Sequence, residues 1–492
     1  MLPRMTSIFL NVNAKIYVLP INISCLDSIW YRLLIQEMID DTMYTQKALT
    51  LYKLKGRLFA VMAVIGTVGF ILFLTQFYST DRRPKVEFSL ASELNRGLNI
   101  EGTAAPNMNK SLLNDIYAIV FDAGSTGSRV HIYKFQTSQD KPLELLHETF
   151  EEVKPGLSSY AADPLKAAHS LDGMLETCVR EIPKHLQSRT PLILKATAGL
   201  RLLQEGQADN ILNEVTAHLK KFPFKLVENG VGIMDGVDEG VFSWITVNFM
   251  LGLLSDSGHP EPALDLGGGS TQITFVPTKP ETTKHLRNEF MKNVILFKNE
   301  YKLYTHSYLG YGLMSARFTI TGGDSLTGNN PARSFLTSVC IPPGYSGNYT
   351  HSGKVYKLRG TSPGQFKYDH CASEMKSLVD SQIRPVIELS GNNLYLFSYF
   401  FDRAVEANLI DKSGGVVSAV DFKNAAIKAF KVANIEMPFQ ALDLTYIYSL
   451  LHYGYHISDS TQIHLKKKIN SVEVSWGLGA AFQLLMQVGL VR

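Results

Sequence analysis

The chain has 492 residues, 45% of them hydrophobic and 19% charged, which allows about two to four domains and excludes long disorder. Lys and Arg (48) nearly balance Asp and Glu (45), leaving a net charge of +3 and no basic run for a phosphate backbone, so we expect no nucleic-acid partner. Four cysteines exclude a disulfide-dense small fold.

An uncharged apolar run at residues 58–77, LFAVMAVIGTVGFILFLTQF, is the first predicted element. As a helix it matches the bilayer core, which about 20 residues cross. It starts too late for a cleaved signal peptide, and basic residues precede it, so we expect a signal-anchor with residues 1–57 in the cytosol. Residues 78–113 would then be a stalk carrying a body in the secretory lumen or outside the cell, in a single-pass type II protein.

The segment DAGSTGSR, residues 122–129, lies between two β-rich runs and predicts a strand, a tight polar turn and a second strand. Glycines in the turn let the backbone approach a ligand, and successive N–H groups with Ser and Thr hydroxyls form a concave anion site. Asp122 would stand where the first strand ends. The turn residues that would contact phosphate are Gly124, Ser125, Thr126 and Gly127.

The same pattern recurs in ALDLGGGSTQITFV, residues 263–276, where Asp265 precedes Gly267 and Gly268. Two aspartates and two phosphate-binding turns could therefore face each other across a cleft. That arrangement suits a divalent cation on a polyphosphate, since hard cations prefer oxygen ligands. The alternative for each copy is a simple hairpin with an Asx turn.

Two segments between the loops carry further candidates. Residues 192–203, LILKATAGLRLL, predict a buried strand ending at Thr197 and then a helix start. Residues 241–251 predict an apolar helix with Glu239 at its entrance, where the helix dipole favours a carboxylate. Glu239 is a candidate general base that deprotonates a water beside the terminal phosphate. The alternative is a solvated acidic residue of the first helical turn.

Together these segments resemble the ecto-nucleoside triphosphate diphosphohydrolase, or apyrase, family. The matching stretches span roughly residues 114–485 and are DAGSTGSR, KATAGLRLL, DEGVFSWITVNF, ALDLGGGSTQITF and SWGLGAAF. The resemblance implies an α/β fold of two domains with a catalytic cleft between them, as in actin, Hsp70 and sugar kinases (the ribonuclease-H-like fold). Residues 114–236 with 471–492 would form domain I, and residues 237–470 domain II.

The reaction implied by the resemblance is attack of water on the terminal phosphate of a nucleoside di- or triphosphate, without a phosphoenzyme. Asp122 and Asp265 would hold Ca²⁺ or Mg²⁺ through bound waters, and Glu239 would be the base. Ser270 and Gln272 would help to fix the attacking water. The implied phosphate-binding residues are Gly124, Ser125, Thr126, Gly127, Thr197, Gly267 and Gly268. Two arginines have either a site role or a structural one, Arg129 and Arg201.

The first motif is similar to the lumenal, diphosphate-preferring branch of that family, because residues 125–127 read Ser-Thr-Gly where cell-surface members usually have Ser-Ser-His. The branch implies hydrolysis of UDP, GDP and IDP, and more weakly of triphosphates, to NMP and phosphate in the Golgi or ER in support of glycosylation. The cell surface, or secretion after cleavage, is the other location. An actin- or sugar-kinase-like ATP-binding protein or phosphotransferase is the alternative function, and a non-catalytic membrane protein is a third.

A disulfide between Cys340 and Cys371 would close a Pro- and Gly-rich loop that has little core, with two free thiols as the alternative. The branch usually has a second disulfide, but Ala441 stands at one of its positions, so the resemblance implies only this bridge. Glycosylation sequons lie at Asn109 and Asn348.

Base recognition is expected in YLFSYFFD, residues 395–402, which aligns with the family segment that places an aromatic ring on the nucleobase. Asp402 stands where surface members have that Tyr. Tyr399 or Phe401 would stack instead, or would belong to the core. Trp476 is a further candidate that we expect to be a packing residue.

Overall fold

The computed structural model describes residues 5–12, 15–22, 114–138, 141–204, 206–255, 258–280, 288–324, 335–389 and 393–491. The predicted anchor at 58–77, the stalk at 78–113 and the sequon at Asn109 lie outside these ranges. Within them, no helix has the length and apolar character that crossing a membrane requires. The chain forms two compact units, residues 1–106 and 107–492. Strands β1 (Met5–Val12) and β2 (Lys15–Asn22) of the first unit pair as an antiparallel hairpin.

A five-stranded mixed sheet forms the first half of the larger unit, in the order β5-β4-β3-β6-β7. Its strands are β3 (Asn114–Ala123), β4 (Ser128–Ser138), β5 (Lys141–Val153), β6 (Pro191–Ala196) and β7 (Lys225–Ile233). The first three are antiparallel neighbours, and β6 and β7 run parallel to β3. The helices of this half are α1 (Pro164–His169), α2 (Asp172–Glu181), α3 (Lys184–Gln187), α4 (Ala198–Arg201) and α5 (Gln207–Leu219).

A seven-stranded mixed sheet follows, in the order β10-β11-β9-β8-β15-β17-β16. Its strands are β8 (Ala263–Leu266), β9 (Ser270–Phe275), β10 (Met291–Leu296), β11 (Asn299–Leu309), β15 (Leu394–Ser398), β16 (Gly415–Ser418) and β17 (Gln462–Leu465). Smaller sheets contain β12 (Leu336–Thr337), β13 (Ser346–His351), β14 (Lys354–Arg359), β18 (Lys468–Ile469) and β19 (Val472–Glu473).

The remaining helices pack around the second sheet or join the two halves. They are α6 (Gly236–Met250), α7 (Leu313–Ile320), α8 (Tyr368–Asp380), α9 (Tyr399–Glu406), α10 (Ala419–Val432), α11 (Gln440–Ser449) and α12 (Gly477–Gln487), with a π-helix at Leu450–Gly454. Helix α12 contacts β3 and β4 as well as α6, and α6 also contacts β8, β9 and β11. The last helix thus packs with the first sheet; the predicted domain boundaries at residues 236 and 470 stay a prediction.

Cys340 and Cys371 form the predicted disulfide, between the segment after β12 and the first turn of α8. Both residues are fully buried in the core of the second half. The remaining cysteine that the structure describes, Cys178, is a buried free thiol in α2. The bridge therefore fixes an irregular connection to a helix that belongs to the core.

Candidate active site

The first glycine-rich loop follows β3, and Asp122 is the residue before the last of that strand. Its carboxylate is buried and accepts a hydrogen bond of 3.1 Å from Nη1 of Arg129, which lies directly opposite in the β3–β4 pair. Burial raises the pKa of Asp122, while Arg129 opposes the rise. The Oδ1 atom is buried and has no partner among the described residues.

The second loop follows β8 in the same way, with Asp265 again next to the strand end. Asp265 is buried, and burial raises its pKa to about 6 against a hydrogen bond from Ser398. Its Oδ1 atom also lacks a partner within the described part of the chain. The residue opposite Asp265 across the β8–β9 pair is Gln272, the position that Arg129 occupies in the first loop.

The two loops approach each other closely through glycine. A Cβ atom on Gly268 would lie 3.0 Å from Cβ of Ser125 and 3.2 Å from Cγ2 of Thr126. A Cβ atom on Gly269 would lie 3.0 Å from Oγ of Ser125. Glycine fits these positions because the two loops approach closely, not because the backbone has an unusual conformation. The predicted phosphate-binding turns do lie together.

The backbone of the second loop is held by the start of α7. The N–H groups of Leu313 and Met314 each donate 2.9 Å hydrogen bonds, to the carbonyls of Gly267 and Gly268 respectively. The N–H of Gly267 donates to the carbonyl of Ser270 at 3.0 Å. Gly267 therefore uses its N–H to shape the turn.

Thr197 lies beside the first loop. It precedes α4, and its N–H donates to the carbonyl of Ala123 at 3.2 Å. A Cβ atom on Gly199, in the first turn of α4, would lie 2.7 Å from Cα of Ser125. The segment KATAGL thus packs against the loop that contains Ser125 and Thr126.

Glu239 lies in the first turn of α6, a helix whose preceding residue, Asp235, accepts a 2.7 Å hydrogen bond from the N–H of Val237. Its Oε2 atom accepts hydrogen bonds from Nη2 of Arg201 at 2.5 Å and from Nε2 of Gln272 at 3.1 Å. The carboxylate is buried rather than solvated. The alternative of a solvent-exposed helix-start acid is therefore wrong.

Burial raises the pKa of Glu239 to about 8, and the negative charges of Asp265 and Asp122 add to the rise, while Arg201 opposes it. Asp122 likewise raises the pKa of Asp265. Three carboxylates from β3, α6 and β8 thus act on one another electrostatically. Buried carboxylates whose negative charges raise a neighbour's pKa are typical of sites that bind a cation.

Gln272 connects Glu239 to the second loop. Its Nε2 lies 2.7 Å from Oγ of Ser270 and 3.0 Å from Oγ of Ser307. Its buried Oε1 atom has no partner in the described ranges. The sequence did not indicate Ser307, which lies opposite Gln272 in the β9–β11 pair. No local signal marks it, since the pairing joins segments about 35 residues apart.

The predicted aromatic residues have three different environments. Tyr399 is partly buried, and its hydroxyl donates to Oγ1 of Thr126 at 3.2 Å, while the Arg403 guanidinium lies 5.6 Å from its ring centroid. Phe401 is 4% exposed and packs in the core of the second half, which argues against the predicted stacking role. Trp476 directly precedes α12 and is buried in the core, as expected for a packing residue, and it lowers the pKa of the nearby Asp122.

Arg129 and Arg201 combine the two roles weighed for them. Arg129 joins Asp122 to Glu152, at 3.1 Å and 2.8 Å, and so ties β3, β4 and β5 together. Arg201 joins α4 to α6 through Glu239. Both arginines lie next to site carboxylates, so their structural contacts also set the charge of the site.

The sequence profile of the GDA1/CD39 (nucleoside phosphatase) family matches residues 108–388 and 390–490. The chain belongs to this family. It is therefore an enzyme of the nucleoside phosphatase class. The match includes both glycine-rich loops and Glu239.

Several members of the family are similar to this chain over most of its length. It is 43% identical over 383 residues to the Gallus gallus ectonucleoside triphosphate diphosphohydrolase 5, covering 76% of this chain and 88% of that protein. It is 39% identical to the Homo sapiens nucleoside diphosphate phosphatase ENTPD5, with 76% and 89% covered. It is also 39% identical to the Homo sapiens ectonucleoside triphosphate diphosphohydrolase 6, with 75% and 77% covered. The chain thus lies near the branch of types 5 and 6.

The fold is similar to a crystal structure of nucleoside triphosphate hydrolases from Neospora caninum, with a TM-score of 0.55 at 12% identity. The similarity covers 78% of this chain and 95% of the other. At this identity the comparison supports the fold alone. It agrees with the mixed α/β, actin-like architecture that the family resemblance implied.

Proposed function

We propose that this chain hydrolyses the terminal phosphate of nucleoside diphosphates, and more weakly of triphosphates, to give NMP and phosphate. The observation that carries the proposal is that the buried carboxylates of Asp122, Glu239 and Asp265 come together beside two loops that meet at Gly268, where Asp122 and Asp265 both raise the pKa of Glu239. The similarity to the human nucleoside diphosphate phosphatase and the chicken triphosphate diphosphohydrolase supports nucleotide hydrolysis over phosphoryl transfer to a sugar. UDP, GDP and IDP are the proposed substrates.

Asp122 and Asp265 would hold the divalent cation, Ca²⁺ or Mg²⁺. Each aspartate has a buried Oδ1 without a partner in the described residues, and carboxylate oxygen is the ligand that these hard cations prefer. The donor set therefore fits such a cation, directly or through water. When bound, it would neutralise charge on the phosphates and favour the ionised form of Glu239.

Glu239 would take the proton of the attacking water. The water oxygen forms a bond to the terminal phosphorus, the bond from that phosphorus to the bridging oxygen breaks, and the bridging oxygen leaves with the NMP. Arg201 and Gln272 hold Oε2 of Glu239, which orients the carboxylate. The unpartnered Oε1 of Gln272 would accept a hydrogen bond from the same water. The hydroxyl of Ser270, which Gln272 holds, would help to position that water.

The proposed compartment is the Golgi or ER lumen, with the chain held as a single-pass type II membrane protein. The uncharged run at residues 58–77 and the similarity to types 5 and 6 support this location. There the enzyme would remove nucleoside diphosphates that glycosyltransferases release. Asn348 is exposed on β13, where a glycan could attach without disturbing the core.

The proposal is tested by phosphate release from the full chain on UDP, GDP, IDP, ADP and the matching triphosphates. Glu239→Gln should lower the rate by about 10²- to 10⁴-fold, because it removes the base and keeps the shape. Nucleotide binding measured with Mg²⁺ should change little. Wild-type phosphate release by this variant would show that Glu239 is not the base.

Asp238→Asn is the matched control, because Asp238 directly precedes Glu239 in α6 and its partly exposed carboxylate pairs with Lys292. This variant should release phosphate at nearly the wild-type rate. Chelation by excess EDTA should abolish turnover of the wild-type chain. Full turnover in EDTA would remove Asp122 and Asp265 from their proposed role.

A further inference from the structure

Three potential metal ligands meet among helices α1, α2 and α5, which do not carry the site carboxylates. His169 is the last residue of α1, Asp172 the first of α2, and His218 lies in the last turn of α5. Their donor atoms all lie within 4.8 Å of one another. The cluster therefore joins three helices at one point.

Both imidazoles aim a ring nitrogen at the same carboxylate. Nδ1 of His169 lies 2.9 Å from Oδ2 of Asp172, and Nε2 of His218 lies 2.5 Å from Oδ1. The two rings contact each other edge to face, with centroids 4.7 Å apart. Two nitrogens and one carboxylate thus converge on a single small volume.

The cluster has a buried side and an open side. The His218 side chain is 8% exposed, whereas those of Asp172 and His169 are 42% and 51% exposed. A cation could enter from solvent past His169 and end against a ring that the fold already holds in place. The position of His218 does not depend on the ligand, which lowers the ordering cost of binding.

We propose that His169 Nδ1, Asp172 and His218 Nε2 form a Zn²⁺ site with water at the fourth position. Two histidines and one carboxylate form a donor set typical of three-ligand zinc sites. Ca²⁺ and Mg²⁺ prefer all-oxygen ligands, so the cation of the proposed hydrolysis would not compete well here. Bound zinc would replace the two His–Asp hydrogen bonds and fasten α1, α2 and α5 together.

The test is a calorimetric titration of the full chain with Zn²⁺ after EDTA treatment and dialysis into saturating Mg²⁺, which occupies the carboxylate site. The wild-type chain should bind one Zn²⁺, and zinc should raise its melting temperature. Co²⁺ in place of Zn²⁺ should give the visible absorption of a four-coordinate site. His169→Ala should weaken zinc binding by more than about tenfold, since losing even a supporting residue costs 10- to 100-fold.

Asp172→Asn is a second variant that keeps the side-chain shape but removes the charged ligand, and it should weaken zinc binding as well. His185→Ala removes an exposed histidine of α3 and should bind zinc like the wild type. Phosphate release with Mg²⁺ should be unchanged in all three, which shows that they fold. The proposal fails if the wild-type chain binds no zinc in Mg²⁺, or if His169→Ala binds it as tightly as His185→Ala.

Discussion

The two glycine-rich loops share one sequence pattern, but their aspartates have different partners. Asp122 faces Arg129 across its hairpin and pairs with it at 3.1 Å. Asp265 faces Gln272, and the described residues include no ion pair to its carboxylate. In each loop the facing residue lies seven positions after the aspartate. The residue across from the aspartate is thus a positively charged arginine in the first loop and a neutral glutamine in the second.

This difference assigns the loops different tasks. Arg129 also pairs with Glu152, so the first loop is fixed to β5 and its aspartate is partly neutralised. Gln272 instead turns to Glu239 and Ser270, so the second loop is connected to the proposed base and to the water that it would activate. We therefore expect the first loop to anchor the site and the second to take part in the chemistry.

Replacing each aspartate by Asn should separate these tasks. Both Asp122→Asn and Asp265→Asn should lower phosphate release by about 10- to 100-fold, as expected for residues that hold a cation through water. In EDTA at pH 8, Asp265→Asn should stabilise the fold by up to about 3 kcal/mol, because a buried charge with a raised pKa is removed. Asp122→Asn should stabilise it less, since the ion pair with Arg129 is lost too.

Urea unfolding of the two variants and the wild type, with and without EDTA, measures this contrast. Asp238→Asn again serves as the control on a partly exposed carboxylate. Equal stability changes for the two aspartate variants would mean that Arg129 does not distinguish the loops.

The loops and their aspartates could be predicted because the determinants are local. Strand, turn and second strand follow one another, and a tight hairpin fixes which residues face each other. Ser398 and Ser307 could not be predicted in this way. Ser398 is placed near Asp265 by the parallel pairing of β15 with β8, two strands that are more than 100 residues apart.

The aromatic residues show a second limit of the sequence. Tyr399 and Phe401 are two positions apart on α9, so they point about 200° apart around the helix. One must face the core if the other faces the site, but the aromatic residue type suits both environments. The structure places Phe401 in the core and Tyr399 beside Thr126.

The pH dependence of stability should reveal the shared charge of the three carboxylates. The pKa of Glu239 rises from 4.5 to about 8, and that of Asp265 from 3.8 to about 6. At a pH between the unfolded and the folded pKa of each group, the folded chain keeps a proton that the unfolded chain has lost. The free energy of unfolding should therefore fall as pH rises from about 4 to 8. Below about pH 4 the contribution is fully present.

Glu239→Gln should remove the part of this fall that is due to Glu239, between about pH 4.5 and 8, and leave the part due to Asp265, between about pH 4 and 6. The difference in free energy of unfolding between variant and wild type should change by about 5 kcal/mol from pH 4.5 to pH 8. Urea unfolding in EDTA at pH 5, 6, 7 and 8 measures it, and saturating Mg²⁺ should flatten the wild-type curve. Parallel curves for the two proteins would show that Glu239 carries no raised pKa.

The smallest expected effect concerns the contact that reaches the first loop from the second half. Tyr399→Phe removes the 3.2 Å hydrogen bond to Thr126 and keeps the ring. A partly exposed hydrogen bond of this kind contributes about 0.5–1.5 kcal/mol, so phosphate release at low substrate should fall two- to tenfold. Tyr399→Ala removes the ring as well. If Tyr399 stacks on the base, only Tyr399→Ala should change the ratio of the rates for UDP and GDP. If the hydroxyl alone matters, the two variants should have equal rates and an unchanged base preference. Wild-type rates for both variants would show that the contact between Tyr399 and Thr126 has no role in turnover.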